Sequence, residues 1–100
     1  MLRITSREHQ GSDELALSGS ISGAWVAELR RICEETLNAG RHLILDLNEV
    51  AYADCAGLEL LSELRTRTVR IFHWTPLVAE LMASYEGRTV CRIQKQRRRN

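Results

Sequence analysis

The feature of the sequence that most constrains the fold is a short, almost uninterrupted apolar run at residues 43–47, in which Asp46 is the one polar member. A run this short and this apolar is typical of a central strand in a parallel sheet, covered by helices on both faces. Parallel neighbours are joined by crossover connections, which are usually helices. The run therefore predicts an α/β sheet in which strands and helices alternate.

The segments on either side contain further strand patterns. Residues 2–5 alternate apolar and polar side chains, which is the period of a half-buried strand, and residues 14–18 form a second strand-like run. Turn-forming residues lie between them, so the two runs predict an antiparallel hairpin with a loop longer than two residues. Residues 68–72 are rich in β-branched side chains and predict another strand. Residues 90–93 predict a short edge strand.

Apolar side chains at helical spacing predict three helices, near residues 22–38, 56–65 and 76–86. The apolar stripes of these helices should face the sheet and form one core with its strands. The predicted core comprises Trp25, Leu29, Ile32, Leu43, Leu45, Leu61, Val69, Ile71, Val78 and Leu81.

Residues that favour helix ends support these three segments. Ser20 or Ser22 is expected to cap the first helix, because a serine oxygen accepts hydrogen bonds from the first turn. Asp54 is placed to cap the second helix, and Thr75 precedes the third. Gly40 follows the first helix, where a left-handed glycine commonly ends helical structure.

The element order is therefore β-β-α-β-α-β-α, in a single α/β domain with a mixed sheet of four or five strands. The N-terminal hairpin supplies the one antiparallel pairing. We place the domain at residues 1–93 and a disordered basic tail at residues 94–100.

The net charge of +1 conceals an uneven distribution. Residues 1–87 hold 8 arginines and 13 acids, giving −5, whereas residues 88–100 hold six basic residues and no acid. An acidic domain argues against a specific nucleic-acid surface on the folded part. The tail has two interpretations: a solvated terminus, or a segment attracted to anionic lipid or nucleic acid.

The cysteines fit a reducing compartment. Cys33, Cys55 and Cys91 are odd in number and widely spaced, so we expect neither a disulfide framework nor a zinc site. The sequence shows no signal-peptide pattern and no apolar stretch of the roughly 20 residues that a transmembrane helix needs. These features predict a cytoplasmic protein.

Motifs for catalysis or cofactor binding are not found in the sequence. There is no glycine-rich phosphate loop, and no pair of histidines has metal-ligand spacing. Asp46 and Asp54 should lie near the carboxyl ends of strands, where open α/β sheets bind ligands. The first strand, however, lacks the paired acids that would complete a magnesium site. We therefore predict no enzyme activity, no cofactor and no metal.

The most informative segment is residues 45–61, an apolar strand and a short connection, followed by Asp54-Cys55-Ala56-Gly57-Leu58 at the start of a leucine-rich helix. This segment resembles the STAS family of anti-sigma-factor antagonists and sulfate-transporter-associated domains. Residues 15–19 and the helix start at residues 23–25 are similar to the family's second strand and first helix. Residues 76–81 are similar to its third helix. The resemblance covers roughly residues 2–87.

The resemblance implies a bacterial, non-enzymatic signalling module that regulates transcription by binding a protein partner, an anti-sigma factor or a sensor kinase. In phosphoregulated members, the residue after the motif aspartate is a serine or threonine that the partner kinase phosphorylates. Cys55 stands at that position and cannot accept phosphate from such a kinase. The partner-binding residues that the resemblance implies are Asp54, Cys55, Ala56, Gly57 and Leu58.

Two other functions remain open. The chain is also similar to accessory STAS subunits of membrane transport complexes, which need no phosphoacceptor. A third hypothesis is a redox sensor or thiol-dependent enzyme built around Cys55. At the motif itself, Gly57 either lets a partner backbone approach or relieves crowding against the third strand. Leu58 is correspondingly a partner contact or a core residue.

Overall fold

The structure is a computed structural model that describes residues 1–67 and 69–88. The predicted order β-β-α-β-α-β-α and the α/β class are confirmed. The predicted edge strand at residues 90–93 and the disordered tail at residues 94–100 lie outside the described residues. The elements are β1 (Leu2–His9), β2 (Ser12–Ile21), α1 (Ala24–Asn38), β3 (His42–Ala53), α2 (Cys55–Thr66), β4 (Arg70–Phe72) and α3 (Pro76–Arg88).

The strands form one sheet in the order β1-β2-β3-β4. The β1–β2 pair is antiparallel, and the β2–β3 and β3–β4 pairs are parallel, as predicted. The prediction of a long hairpin loop is wrong. His9 pairs with Ser12, which leaves a two-residue turn of Gln10 and Gly11. Gly11 has a φ of +71°, and a glycine allows so tight a turn because it adopts positive φ without strain.

The helices cover one face of the sheet. Leu43, Leu45 and Leu47 of β3 are buried, whereas Ile44 and Asp46 between them are only partly buried. The prediction that β3 is covered on both faces is therefore wrong. Each crossover leads to the next strand in the same direction, and crossovers of one hand that step in one direction lie on one face. Within residues 1–67 and 69–88, no helix covers the opposite face, and the sequence analysis did not predict this.

Most of the predicted core is confirmed, but Trp25 is 38% exposed. It occupies the first turn of α1, in which Val26 is buried, and Leu29 is the buried residue one turn further along the helix. Trp25 is consequently directed away from the core. The predicted core residues Leu29, Leu43, Leu45, Leu61, Val69 and Val78 are buried, and Ile32, Ile71 and Leu81 are partly buried against them.

Strand β3 is longer than the apolar run predicted, because residues 48–53, expected as a connection, continue it to Ala53. Its pairing with β2 shifts register twice, between Ala16 and Ser18 and between Gly19 and Ser20. Such irregularities bend a strand and redirect its side chains. They accompany two adjacent pairs of exposed residues, at 48–49 and 51–52.

The predicted helix ends are confirmed in part. Gly40 follows α1 with a φ of +77°. Pro76 opens α3, and the hydroxyl of Thr75 donates a hydrogen bond to the Val50 carbonyl at 2.7 Å. Serine capping of α1 is wrong, since the N-cap residue is Gly23 and no side chain caps the helix from that position.

Replacing Leu45 with alanine should lower the free energy of unfolding by about 2–5 kcal/mol, because it leaves a cavity in the centre of the core. Ile44→Ala, one residue away on the open face, should cost clearly less. Urea unfolding followed by circular dichroism measures both losses. Equal losses would contradict the one-sided packing of the sheet.

Candidate functional site

Asp54 joins the starts of two helices to the end of β2. Its Oδ1 accepts a hydrogen bond from the Gly57 amide at 2.8 Å, and its Oδ2 accepts one from the Gly23 amide at 3.1 Å. Its own amide donates to the Ile21 carbonyl at 3.1 Å, and its carbonyl accepts from the Leu58 amide at 2.8 Å. The predicted cap of α2 is confirmed. The sequence did not predict that the same carboxylate also holds the start of α1.

Gly57 lets α2 lie directly against the end of β2. A Cβ atom at this position would be 2.3 Å from the Ile21 carbonyl oxygen, well inside the contact distance. The crowding that the sequence analysis offered as one role for Gly57 therefore exists, but it comes from β2 and not from the third strand. The hydrogen bonds of Asp54 and the close contact at Gly57 together fix the position of the start of α2.

The five residues of the predicted partner-binding segment point in different directions. Cys55 and Ala56 are exposed, and Asp54 is partly buried. Gly57 and Leu58 are buried, so Leu58 takes the core position, one of the two roles that the sequence left open for it. The first turn of a helix presents only part of its circumference to solvent, and here Leu58 joins the core cluster.

Two large aromatic side chains are exposed on segments that adjoin Asp54, the residue before Cys55 and Ala56. Trp25 belongs to the first turn of α1, which Asp54 holds beside α2, and Tyr52 precedes Asp54 by two residues. Trp25 is 38% exposed and Tyr52 is 45% exposed. We call Trp25, Tyr52, Cys55 and Ala56 the rim surface. Sequence reasoning assigned Trp25 to the core and did not select Tyr52, which lies beside a register shift in β3.

The cysteines of the described residues differ in state. Cys33 is fully buried and free, and burial raises the pKa of its thiol to about 12. It is therefore protonated at neutral pH and unsuited to nucleophilic attack. Cys55 is disulfide-bonded, which the wide spacing of the cysteines did not predict.

Asp46 and Asp54 do not form a common site. Because β3 continues to Ala53, seven residues of mostly extended chain lie between them, which corresponds to a separation of about 25 Å. Asp46 instead accepts a hydrogen bond from the Asn48 amide, and its Oδ1 lies 3.0 Å from Nδ1 of His73. Among the residues that the structure describes, no cluster of three or more His, Cys, Asp or Glu side chains has the arrangement of a metal site.

Comparison with known families agrees with this fold. The sequence model of the family described as "Mlab, STAS domain" matches residues 4–88. The match covers most of the chain, so the chain belongs to the STAS domain family. A search of curated proteins found no match. In the described part of the chain, no helix has the length and apolar character needed to cross a bilayer.

Gly57→Ala provides a test in which two effects have opposite signs. Helix propensity alone would stabilise the protein by about 1 kcal/mol. The contact with the Ile21 carbonyl should outweigh this gain and lower the free energy of unfolding by about 1–3 kcal/mol, as overpacking usually does. Chemical denaturation measures the net effect. A more stable variant would show that α2 does not need this close approach.

Proposed function

We propose that this chain is a protein-binding regulatory module, which docks on its partner through the rim surface without control by a Ser/Thr kinase. The observation that carries the proposal is the position of Cys55 and Ala56, exposed at the start of α2. In phosphoregulated STAS members, this turn carries the phosphorylated hydroxyl. The chain keeps the helix start and has no hydroxyl on either exposed residue.

The rim surface has the composition of a docking site. The small side chain of Ala56 lets another surface approach α2 closely. Trp25 and Tyr52 offer large, rigid contacts, and aromatic residues are enriched among those that contribute most to protein interfaces. The hydrogen bonds of Asp54 order this surface before binding, which reduces the entropy lost on association.

The missing hydroxyl changes how binding would be regulated. A phosphate adds about −1.5 to −2 of charge at pH 7 and opposes docking when it lies in an interface. Cys55 does not receive this charge from a Ser/Thr kinase. Binding by this module then depends on the concentrations of the module and its partner, and on whether Cys55 is disulfide-bonded or reduced.

The first candidate partner is an anti-sigma factor or a sensor kinase, as in antagonist-type members of the family. A module that occupies such a partner and is not released by phosphorylation would act as a stoichiometric antagonist. This role needs only a preformed surface and no catalytic group.

The second candidate is a role as accessory subunit of a membrane transport complex. The STAS family includes transporter-associated domains as well as antagonists. The description of the matching family, "Mlab, STAS domain", does not name antagonists. We therefore keep the transport role as an alternative. Such a subunit would use the same exposed surface to hold a different protein.

Ala56→Tyr tests the docking surface. The variant places a ring on the exposed first turn of α2 and should weaken partner binding at least tenfold by steric exclusion. Ala39→Tyr adds the same ring at the opposite end of α1 and is the matched control, since Ala39 is also exposed. All three proteins serve as bait in lysate of the native cell, under reducing conditions, and captured proteins are identified by mass spectrometry.

A protein captured by the original chain and by Ala39→Tyr, but lost with Ala56→Tyr, supports the proposal. An anti-sigma factor or kinase in that position supports the antagonist role, and a permease or ATPase supports the transport role. Titration calorimetry with the purified partner then gives the affinities. Equal affinity of Ala56→Tyr and the original chain would place the docking surface elsewhere.

A further inference from the structure

His73 follows the last residue of β4 and has an unusual backbone conformation that turns its ring toward β3. Its φ is +60°, in the left-handed region that is uncommon for residues other than glycine. Phe72 and Asp46 are register partners, so both lie on the sheet face opposite the helices. Side chains alternate between the two faces along a strand, so an extended residue at position 73 would face the helices. The left-handed conformation instead brings the ring to Asp46.

The carboxylate of Asp46 holds this ring through one of its two nitrogens. Nδ1 of His73 lies 3.0 Å from Oδ1 of Asp46, and the same oxygen accepts a hydrogen bond from the Asn48 amide at 3.0 Å. An ionised carboxylate can only accept, so Nδ1 carries the proton and Nε2 of the neutral ring keeps its lone pair. The side chain of His73 is 66% exposed. The pair therefore presents an oriented imidazole nitrogen to solvent.

The other two histidines have different surroundings. His9 contacts Glu14 through Nε2, at 3.3 Å, so the lone pair of its neutral ring is left on Nδ1, next to its own backbone. His42 is exposed at the start of β3. An imidazole whose Nδ1–H faces a carboxylate is the better nucleophile at Nε2, because the carboxylate stabilises the positive charge that the ring acquires when it reacts. His73 is the histidine with that geometry.

We propose that His73 is a phosphoacceptor, whose Nε2 takes a phosphoryl group from an N-phosphoryl donor, such as a phosphoramidate or the phosphohistidine of another protein. The Nε2 lone pair forms the new bond to phosphorus. The P–N bond of the donor breaks, and its electron pair leaves with the donor nitrogen. The ring then carries a positive charge, and its Nδ1–H remains on the Asp46 carboxylate. Asp46 is a positioning residue in this reaction.

The exposure of the ring favours phosphoryl transfer over acyl transfer. An acylated imidazole is hydrolysed rapidly in water, whereas a phosphorylated imidazole persists at neutral and alkaline pH. On a ring that is two-thirds exposed, only the phosphorylated product lasts long enough to act as a signal. The modification adds about −1.5 to −2 of charge to the sheet face opposite the helices. This site is independent of the partner docking proposed for the rim surface.

The test is reaction of the full-length protein with phosphoramidate at about pH 8, where imidazole rings are neutral. Mass spectrometry of the intact chain locates the phosphate, and phosphorus NMR distinguishes the two ring nitrogens. His73 should react at Nε2 about two- to fivefold faster than His42, the gain expected from an exposed ion pair. Asp46→Asn should abolish this preference and leave the rate at His42 unchanged. Nitrogen NMR should place the ring proton on Nδ1 of His73 in the original chain and on both nitrogens in Asp46→Asn.

His73→Asn is the control that keeps the turn, because asparagine tolerates the left-handed backbone, and it should remove the fastest-reacting site. His42→Asn is the matched variant and should leave the rate at His73 unchanged. Equal rates at His73 and His42, or phosphate on Nδ1 of His73, would overturn the proposal. A preference for His73 that persists in Asp46→Asn would overturn the positioning role of Asp46.

Discussion

The arrangement of the starts of α1 and α2 depends on the hydrogen bonds that the carboxylate of Asp54 accepts. The carboxylate accepts hydrogen bonds from the first turn of α2 and from the residue that precedes α1, two groups that are far apart in the sequence. The N-terminus of a helix carries partial positive charge, so one anion stabilises both helix starts. The close contact between Gly57 and the Ile21 carbonyl then fixes the distance between α2 and the sheet.

Within one short motif, this arrangement separates the residues that hold the helix in place from those that are exposed. Asp54, Gly57 and Leu58 hold the helix in place, and their polar groups or side chains are used within the domain. Cys55 and Ala56 face solvent between them in the sequence. A change at Ala56 should therefore have little effect on folding, whereas a change at Cys55 would also remove its disulfide bond.

The sequence predicted what depends on local patterns. Helical and strand periodicities gave the element order, and the position of Asp54 just before the helical pattern gave the cap of α2, because both signals act within one or two turns. It did not predict the Asp54–Gly23 hydrogen bond, since that contact links residues 31 positions apart. Trp25 was misplaced because an apolar residue in a first helical turn can face either the core or the rim, and the position of the helix on the sheet decides which.

Features set by the whole topology were also beyond local patterns. The sequence pattern of residues 43–47 is compatible with two kinds of strand. One is covered on both faces, and the other has its outer-face side chains, here Ile44 and Asp46, partly exposed to solvent. The strand order decides between these, because it places all the crossovers on one side. The continuation of β3 to Ala53 was not predicted either, because its two register shifts interrupt the alternation of buried and exposed side chains that is expected of a strand.

The central claim is that one carboxylate holds both helix starts, and amide hydrogen exchange in an Asp54→Ala variant measures this most directly. The exchange rates of the Gly23 and Gly57 amides should both rise, by about fivefold to thirtyfold, because each loses its acceptor. The Leu45 amide, in the centre of the sheet, reports whether the domain remains folded. Faster exchange at Gly57 alone would contradict the account, because Asp54 would then be an ordinary cap of α2 and the start of α1 would be held by other contacts.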